Sequence, residues 1–359
     1  MGFKKFISYL FILILVSFSA KADDISSCAS ANLSDELGDV RSQGNMGWCY
    51  ANTAADLISF KFRKQWKYHQ ASADFIAFGY NYKQNSEEPG SYIFTEGGDI
   101  RAAASYAGEY KYSCPRELDN IFINGGLNLQ LKQKLHTAEK LKKLFDLRTQ
   151  SPAALKEYDD FIADLNAKKS IITFLMPQYS LTPEEAELEQ KKVLANALSL
   201  DINLAVIEIA KAVCKPYQMP MILPREQIRR VHGDVAQYYD KLQNKTVYQM
   251  PNMLKLLDQE LTDGNVVGID YSINLISPNL KDTDSHASVV VGRQMINKQC
   301  MYKIRNSWGK GCVDHWDGVD YPRYNSNVKC EESGHVWVTK ANLKSALTSM
   351  AYIDLAPTQ

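Results

Sequence analysis

The chain has 359 residues, enough for one large domain or two ordinary ones. Lysine plus arginine and aspartate plus glutamate both total 41, so the formal net charge is zero. A nucleic-acid-binding protein usually carries a basic surplus, and this chain has none. Hydrophobic residues make up 45 % of the chain, which is ordinary for a globular protein with a sizeable core.

The first 22 residues have the three-part pattern of a secretory signal peptide. Lys4 and Lys5 precede an apolar run over 6–18, and an A-x-A ending follows at 20–22. The run is too short for a comfortable membrane span, although an uncleaved anchor is the alternative. We therefore expect export, either secreted or periplasmic, and no stable membrane span once the signal is removed.

Export makes the cysteines informative, because thiols tend to pair in oxidising compartments. The chain has seven cysteines, an odd number, so at least one is left outside any disulfide. The other six can pair in 15 ways, and their spacing alone does not choose among them.

The predicted elements of the first two thirds of the chain are helices. Residues 49–64 have apolar side chains at helical spacing. A turn at 96–99 leads into a short helical pattern over 100–107, which Gly108 is expected to end as a C-cap. From about 120 to 245 the chain is rich in lysine and glutamate and has helical spacing, so we expect a separate helical block there.

The last quarter has a different pattern. Four short segments are β-branched or aromatic: 266–271, 287–291, 300–304 and 333–338. They predict strands of one sheet. The expected fold class is therefore α+β, with a helical lobe and a β-rich lobe.

Cys49 lies at the predicted start of the helix 49–64. Backbone N–H groups and the helix dipole favour an anion at that position. Because a thiol attacks as the thiolate, Cys49 is a candidate nucleophile. A packed thiol and half of a disulfide are the alternatives.

His286 is the candidate base. It begins the predicted strand SHASVVVG, which would hold its ring rigidly and leave one end exposed. The other five histidines are expected in helical or loop-like contexts without a motif. Asn306 follows the next predicted strand, 20 residues later, where its amide could accept from the imidazole N–H and select the tautomer.

Three motifs in this order, QGNMGWCYA, SHASVVVG and IRNSWGKG, resemble those of the papain family of cysteine peptidases. The resemblance implies that Cys49 is the nucleophile, His286 the general base and acid, and Asn306 the residue that orients His286. It also implies that Gln43 forms an oxyanion hole with the backbone N–H of Cys49. No metal or organic cofactor is implied.

The same resemblance implies three substrate-binding residues. Gly97 and Gly98 match the glycine pair that binds substrate backbone, and Trp308 matches the tryptophan that shields the asparagine. The alternatives are a helix-start turn for the glycines and plain core packing for Trp308. Trp48 and Tyr50 depart from the family's residues at their positions, and we expect these changes to affect the rim of the cleft rather than the triad.

The spacing of the motifs predicts an insertion. Cys49 and His286 are 237 residues apart, roughly 100 more than the family's spacing. The helical block at about 120–246 has the right size, so residues 23–359 are expected to form one papain-like catalytic domain that this block interrupts. A Cys312–Cys330 bridge would then close a loop and a Cys114–Cys214 bridge would span the insertion. Cys28–Cys300 is left by elimination.

The function implied is hydrolysis of peptide bonds in a peptide or protein substrate. We expect a monomer that binds no nucleic acid. An acyl transferase or amidase would use the same triad, and a plugged cleft would make the chain a non-hydrolytic binding module.

Overall fold

A computed structural model gives the fold. It describes residues 28–44, 47–87, 97–119, 151–153, 156, 207, 210–211, 214–232, 236–240, 245–249, 252–279, 284–316 and 319–355. The expected signal peptide at 1–22 lies outside these residues, as does most of the expected helical insertion. Within the described part, no helix has the length and hydrophobicity needed to cross a membrane.

The chain divides into two compact units. The helical unit comprises Arg41–Arg229 and Ile353–Gln359, and the β unit comprises Met1–Val40 and Arg230–Tyr352. Helices and an antiparallel sheet are both present, so the α+β class is confirmed.

Five α-helices are described. They are α1 (Cys49–Phe62), α2 (Ala73–Glu87), α3 (Ile100–Glu109), α4 (Met253–Thr262) and α5 (Lys340–Ala346). The strands are β1 (Ala31–Asn32), β2 (Tyr112–Ser113), β3 (Met219–Pro220), β4 (Ile228–His232), β5 (Ala236–Asp240), β6 (Lys245–Gln249), β7 (Val267–Ser272), β8 (Ser285–Ile296), β9 (Gln299–Arg305), β10 (Val313–Trp316), β11 (Val319–Pro322), β12 (Lys329–Cys330), β13 (His335–Thr339) and β14 (Leu347–Ile353).

Helix α1 is the centre of the helical unit. Nearly all of its side chains are buried, rather than one stripe of them. Small residues such as Ala51, Ala54 and Ala55 have no exposed surface, and they allow α2 and α3 to pack close to α1. Burial on nearly all sides is typical of a helix in a protein interior.

Gly108 does not end α3, so the C-cap prediction was wrong. The helix continues through it to Glu109. A Cβ atom on Gly108 would lie 2.5 Å from the carbonyl oxygen of Leu223. The glycine therefore serves a close backbone approach rather than a helix end.

The expected helical block is also partly wrong. Where the structure describes its last part, the chain forms strands β3 to β6 instead of helix. Segments such as IRRVH and KTVYQ contain β-branched and aromatic residues, which favour strands.

The β unit is built on one large sheet. Its strands lie in the order β12-β13-β9-β8-β7-β14-β4, and β1 also pairs with β8. The four predicted strands are confirmed as β7, β8, β9 and β13, which pair with antiparallel neighbours. The core on this sheet includes fully buried Leu257 from α4 and Leu343 from α5.

All seven cysteines are described, and the preferred pairing is confirmed. The disulfides are Cys28–Cys300, Cys114–Cys214 and Cys312–Cys330. Cys49 takes part in none of them. Three disulfides are typical of an extracellular or otherwise exported protein.

A buried ionic cluster stabilises the helical unit. Arg41 Nε donates to Asp56 Oδ1 on α1 at 2.6 Å, and Arg41 Nη1 lies 3.6 Å from Asp119 Oδ2. Asp119 also accepts from Ser72 Oγ and from the backbone N–H of Ala73.

Asp74 lies next to this cluster. It is 2 % exposed, and its Oδ2 has no hydrogen-bond partner among the described residues. Burial and the nearby negative charge of Asp119 raise the pKa of Asp74 well above its usual value.

We expect Asp74→Asn to stabilise the protein at pH 7, because asparagine mimics the protonated carboxyl. A raised folded-state pKa means that Asp74 favours folding below its unfolded pKa, and that this contribution is lost as pH rises. The increase in melting temperature should therefore be a few degrees at pH 7 and shrink toward pH 4. Thermal unfolding at several pH values measures it.

The control is Asp56→Asn, the same change at the carboxylate nearest Arg41. It should lower the melting temperature at pH 7, because it removes the negative charge that pairs with the buried guanidinium of Arg41. Equal responses of the two variants would contradict our assignment of the cluster.

The β unit has its own buried ionic centre at Asp258 on α4. Arg293, which is 2 % exposed, donates to Asp258 Oδ1 at 2.5 Å. Tyr302 Oη donates to the same oxygen at 2.8 Å, and Lys340 Nζ donates to Oδ2 at 3.2 Å. Asp258 thus joins α4 to β8, β9 and α5.

Asp258→Ala should lower the free energy of unfolding by about 3 kcal/mol, because it leaves a buried arginine without its carboxylate. Urea unfolding measures the loss. Asp263→Ala, at the exposed end of the same helix, is the matched control and should change stability by less than about 1 kcal/mol. A loss at Asp258 no larger than the control's would show that Arg293 is compensated elsewhere.

Candidate active site

Cys49 is the first residue of α1, as predicted, and its side chain is half-buried. The positive end of the α1 dipole lies at this residue and favours a negative charge there. The carbonyl oxygen of Trp48 accepts from the backbone N–H of Asn52 at 3.0 Å and from its side-chain amide at 2.9 Å. The first turn of the helix therefore places the thiol.

Trp48 and Tyr50 lie in the core, so the expectation that they form a cleft rim was wrong. Trp48 is 4 % exposed and contacts Phe78 edge-on, at a centroid distance of 5.6 Å. Tyr50 is fully buried, packs against Tyr80 at 4.7 Å and accepts from Asn81 Nδ2 at 3.2 Å. The residues on both sides of Cys49 are thus anchored in the helical unit.

The glycine pair lies beside the Cys49 loop. Gly97 N–H donates to the carbonyl oxygen of Gly47 at 2.8 Å, and Gly97 has a φ of 91°. A Cβ atom on Gly98 would lie 2.9 Å from the rings of both Tyr50 and Tyr80. Both glycines have structural reasons to be glycine, and binding of substrate backbone stays a prediction.

Gln43 is half-buried and lies in the loop that leads to α1. The next residue, Gly44, has a φ of 56°, a conformation that favours glycine. The oxyanion role of Gln43 stays a prediction.

His286 and Asn306 come together in the β unit. His286 is the second residue of β8, and Asn306 directly follows β9, which pairs with β8. The imidazole Nε2 and Asn306 Oδ1 are 2.8 Å apart. The side chains are 4 % and 1 % exposed, so the expectation that one end of the imidazole is exposed was wrong.

The hydrogen bonds of Asn306 select the tautomer of His286. The backbone N–H of Ser307 points at Asn306 Oδ1 at 2.8 Å. A backbone amide can only donate, so this atom is the carboxamide oxygen and not the nitrogen. His286 Nε2 must then carry the proton that it donates. Its Nδ1 is left with a lone pair, as a base requires.

Burial lowers the pKa of His286 to about 4, and the hydrogen bond with Asn306 opposes this shift. The imidazole is therefore neutral at pH 7. A neutral imidazole with an available Nδ1 can accept a proton from an acid such as a thiol.

Trp308 packs beside His286, and its shielding of Asn306 stays a prediction. Its ring centroid lies 5.2 Å from that of His286 and is stacked on Tyr324 at 5.5 Å. Asn306 Nδ2 also donates to Tyr324 Oη at 3.5 Å. Trp308 is half-buried, so it packs against the core while part of its surface stays accessible.

Sequence reasoning missed three residues around this pair: Tyr271, Ser288 and Tyr324. The sequence could have placed Ser288 beside His286, because it lies two residues further along the same strand and strand side chains alternate between the two faces. No sequence pattern placed Tyr324 near the pair, since it comes from the segment that the Cys312–Cys330 disulfide closes. The expected helical or loop-like context was wrong for three other histidines, His232, His315 and His335, which lie in strands β4, β10 and β13.

Within the described residues, no group of three or more His, Cys, Asp or Glu side chains could hold a metal ion.

Comparisons with known proteins find structural similarity only. No family model matches the chain, and no curated protein matches it. PepW from Lactobacillus rhamnosis is 13 % identical, with a TM-score of 0.46 over 92 % of this chain and 84 % of that one. Xylellain, a cysteine protease from Xylella fastidiosa, is 14 % identical, with a TM-score of 0.40 over 94 % of this chain and 91 % of that one. Digestive procathepsin L 3 of Tenebrio molitor is 12 % identical, with a TM-score of 0.36 over 88 % of this chain and 71 % of that one. At these values the similarity carries no argument about activity.

Gly98→Ala should destabilise the helical unit, because the added methyl group overlaps the rings of Tyr50 and Tyr80. Overpacking of this kind costs about 1–3 kcal/mol. The near-ultraviolet circular dichroism of the tyrosines should change with it. Unfolding by urea measures the cost.

Gly264→Ala is the comparison variant, because its Cβ atom would meet nothing within 4 Å and only the positive φ of 78° opposes it. It should leave the tyrosine signal unchanged. If Gly98→Ala were as stable as the parent with the same tyrosine signal, the close approach at Gly98 would be refuted.

Proposed function

We propose that this chain is a cysteine-type peptidase that hydrolyses peptide bonds with Cys49, His286 and Asn306. The observation that carries the proposal is the His286–Asn306 hydrogen bond at 2.8 Å, which leaves Nδ1 of a neutral imidazole as the base. A base held in one tautomer is what nucleophilic catalysis by a thiol requires. Cys49 is the one cysteine of the chain outside the three disulfides.

In the proposed reaction, Nδ1 of His286 takes the proton of the Cys49 thiol. The thiolate attacks the substrate carbonyl carbon, and the electron pair of the C=O bond moves to the oxygen. The backbone N–H of Cys49 and the side-chain amide of Gln43 stabilise that oxyanion. The imidazolium of His286 then protonates the leaving amine, and water hydrolyses the thioester with His286 acting as base again.

Asn306 supports the charged form of His286 during this cycle. Its Oδ1 accepts from Nε2, which favours the imidazolium against the effect of burial. Trp308 and Tyr324 cover the pair and limit the access of water to this hydrogen bond. We propose that Gly97 and Gly98 bind the substrate backbone.

We further propose that the chain is exported, through its N-terminal signal, to the cell exterior or the periplasm. The three disulfides support an oxidising compartment. The proposed substrate is a peptide or protein, and the proposed working form is a monomer.

Cys49→Ala should abolish peptide hydrolysis and labelling by an epoxide probe, because the thiol is the nucleophile. The melting temperature should stay within about 1 °C of the parent, since a half-buried thiol contributes little packing. Digestion of a peptide library, followed by mass spectrometry, measures cleavage. Retained cleavage by the purified variant would refute the assignment.

Two further variants separate the roles. His286→Gln should lose activity about as completely as Cys49→Ala, because base and nucleophile act as a unit. Asn306→Ala should lose less, because it orients the base without reacting. Labelling of the parent without cleavage of any peptide would favour an acyl transferase or amidase. The absence of both labelling and cleavage would favour a binding module.

A further inference from the structure

Two polar residues outside the proposed triad lie on the same face of the sheet as His286. Ser288 is two residues further along β8, and Tyr271 on β7 is the cross-strand partner of His286. The ring of Tyr271 meets that of His286 edge-on at 5.6 Å. Tyr271 and Ser288 are 0 % and 2 % exposed. Buried hydroxyl groups in an apolar strand need hydrogen-bond partners, and these two find them in one chain of bonds.

The direction of each proton in this chain follows from Asn306. Its Oδ1 is an acceptor because Ser307 N–H points at it, so Ser288 Oγ, which lies 3.2 Å away, must donate to it. The single proton of Ser288 is then committed. Tyr271 Oη, at 2.9 Å from Ser288 Oγ, must therefore donate to the serine oxygen. The order is Tyr271 to Ser288 to Asn306.

Asn306 Oδ1 thus receives three donors: Ser307 N–H, Ser288 Oγ–H and His286 Nε2–H. A carbonyl oxygen has two lone pairs, so three donors compete for it. The donation from Tyr271 polarises the serine hydroxyl and makes it a stronger competitor. A stronger hydrogen bond from Ser288 to Asn306 Oδ1 therefore weakens the hydrogen bond from His286 to the same atom.

We propose that Ser288 and Tyr271 are positioning residues that limit how strongly Asn306 accepts the hydrogen bond from His286. They act through Asn306 and do not contact the reacting atoms. Their effect is to weaken the support that Asn306 gives to the imidazolium, so that His286 returns readily to the neutral base.

The electrostatic surroundings make this effect measurable. The titratable groups packed against the pair are Tyr271 from β7 and Tyr324 from the segment between Cys312 and Cys330. Burial raises the pKa of Tyr324, so it stays neutral at pH 7. Within the described residues, burial and the Asn306 hydrogen bond are the causes that shift the pKa of His286, and no charged side chain is among them. A change in that one bond is therefore not masked by a neighbouring ion.

The test is nuclear magnetic resonance of the folded protein with 15N-labelled histidine. The parent should show His286 as the Nε2–H tautomer at pH 7, and His286→Gln assigns the signal. In Ser288→Ala the Nε2–H resonance should move downfield, because its hydrogen bond strengthens. The pKa of His286 should rise by about half a pH unit. Tyr271→Phe should shift both quantities in the same direction but by less.

Tyr302→Phe is the matched control. It removes the hydroxyl of an equally buried tyrosine of the same sheet, whose hydrogen bond goes to Asp258. It should leave the His286 signals unchanged. The proposal is overturned if Ser288→Ala leaves the His286 signals unchanged, or if Tyr302→Phe shifts them equally. Should Ser288→Ala unfold because Tyr271 loses its acceptor, the double variant with Tyr271→Phe removes both hydroxyls and is read the same way.

A kinetic arm rests on the proposed function. Where the peptidase activity exists, Ser288→Ala should shift the acidic limb of the kcat/KM profile upward by about half a pH unit, because that limb reports protonation of the neutral His286 base. An unmoved limb would overturn a role in catalysis. A parent without peptidase activity would refute the proposed function, while the resonance measurements still decide whether Ser288 and Tyr271 control the hydrogen bond.

Discussion

The hydrogen bond from His286 Nε2 to Asn306 Oδ1 is the contact on which the proposed chemistry depends. Burial alone would lower the basicity of His286 without deciding which ring nitrogen carries the proton. The backbone N–H of Ser307 makes Asn306 Oδ1 an acceptor, and this acceptor assigns the proton to Nε2. The sheet supplies the rigidity, because β8 and β9 pair along their length and bring both side chains to one end of the strand pair. The ring of Trp308 packs against the imidazole.

In each unit a buried arginine pairs with an aspartate and connects an element that carries a candidate site residue. Arg41 pairs with Asp56, which lies on α1, the helix that begins with Cys49. Arg293 pairs with Asp258 and so joins α4 to β8, the strand that carries His286. A guanidinium can satisfy several acceptors at fixed angles, which suits a point where secondary structures meet. Such buried pairs add little net stability, but their geometry is specific, and breaking one partner is costly.

Sequence patterns predicted the elements whose signal is local. The long strands β7 to β9 were visible as β-branched runs, and α1 as an alanine-rich run after a glycine-bearing loop. Helix α2 was missed although its start has a local signal, because Ser72 Oγ accepts from the backbone N–H of Phe75. Asp119, 46 residues away, adds an acceptor for the N–H of Ala73 that no local pattern records. Gly108 was misread because the backbone that requires a glycine there belongs to distant Leu223. Cys312–Cys330 was inferred from the loop that it closes and Cys114–Cys214 from the insertion that it spans, so that only Cys28–Cys300 was obtained by elimination.

The sequence by itself determined which residues are candidates for chemistry: Cys49 at a helix start, His286 at a strand start and Asn306 after the next strand. These are properties of short segments, and short-range patterns record them. Only the tertiary structure decided the tautomer and low basicity of His286, the burial of Trp48 and Tyr50, and the contacts of Tyr271, Ser288 and Tyr324 with the His286–Asn306 pair. Those features depend on strand register and on the exclusion of water, which arise when segments distant in the chain pack together.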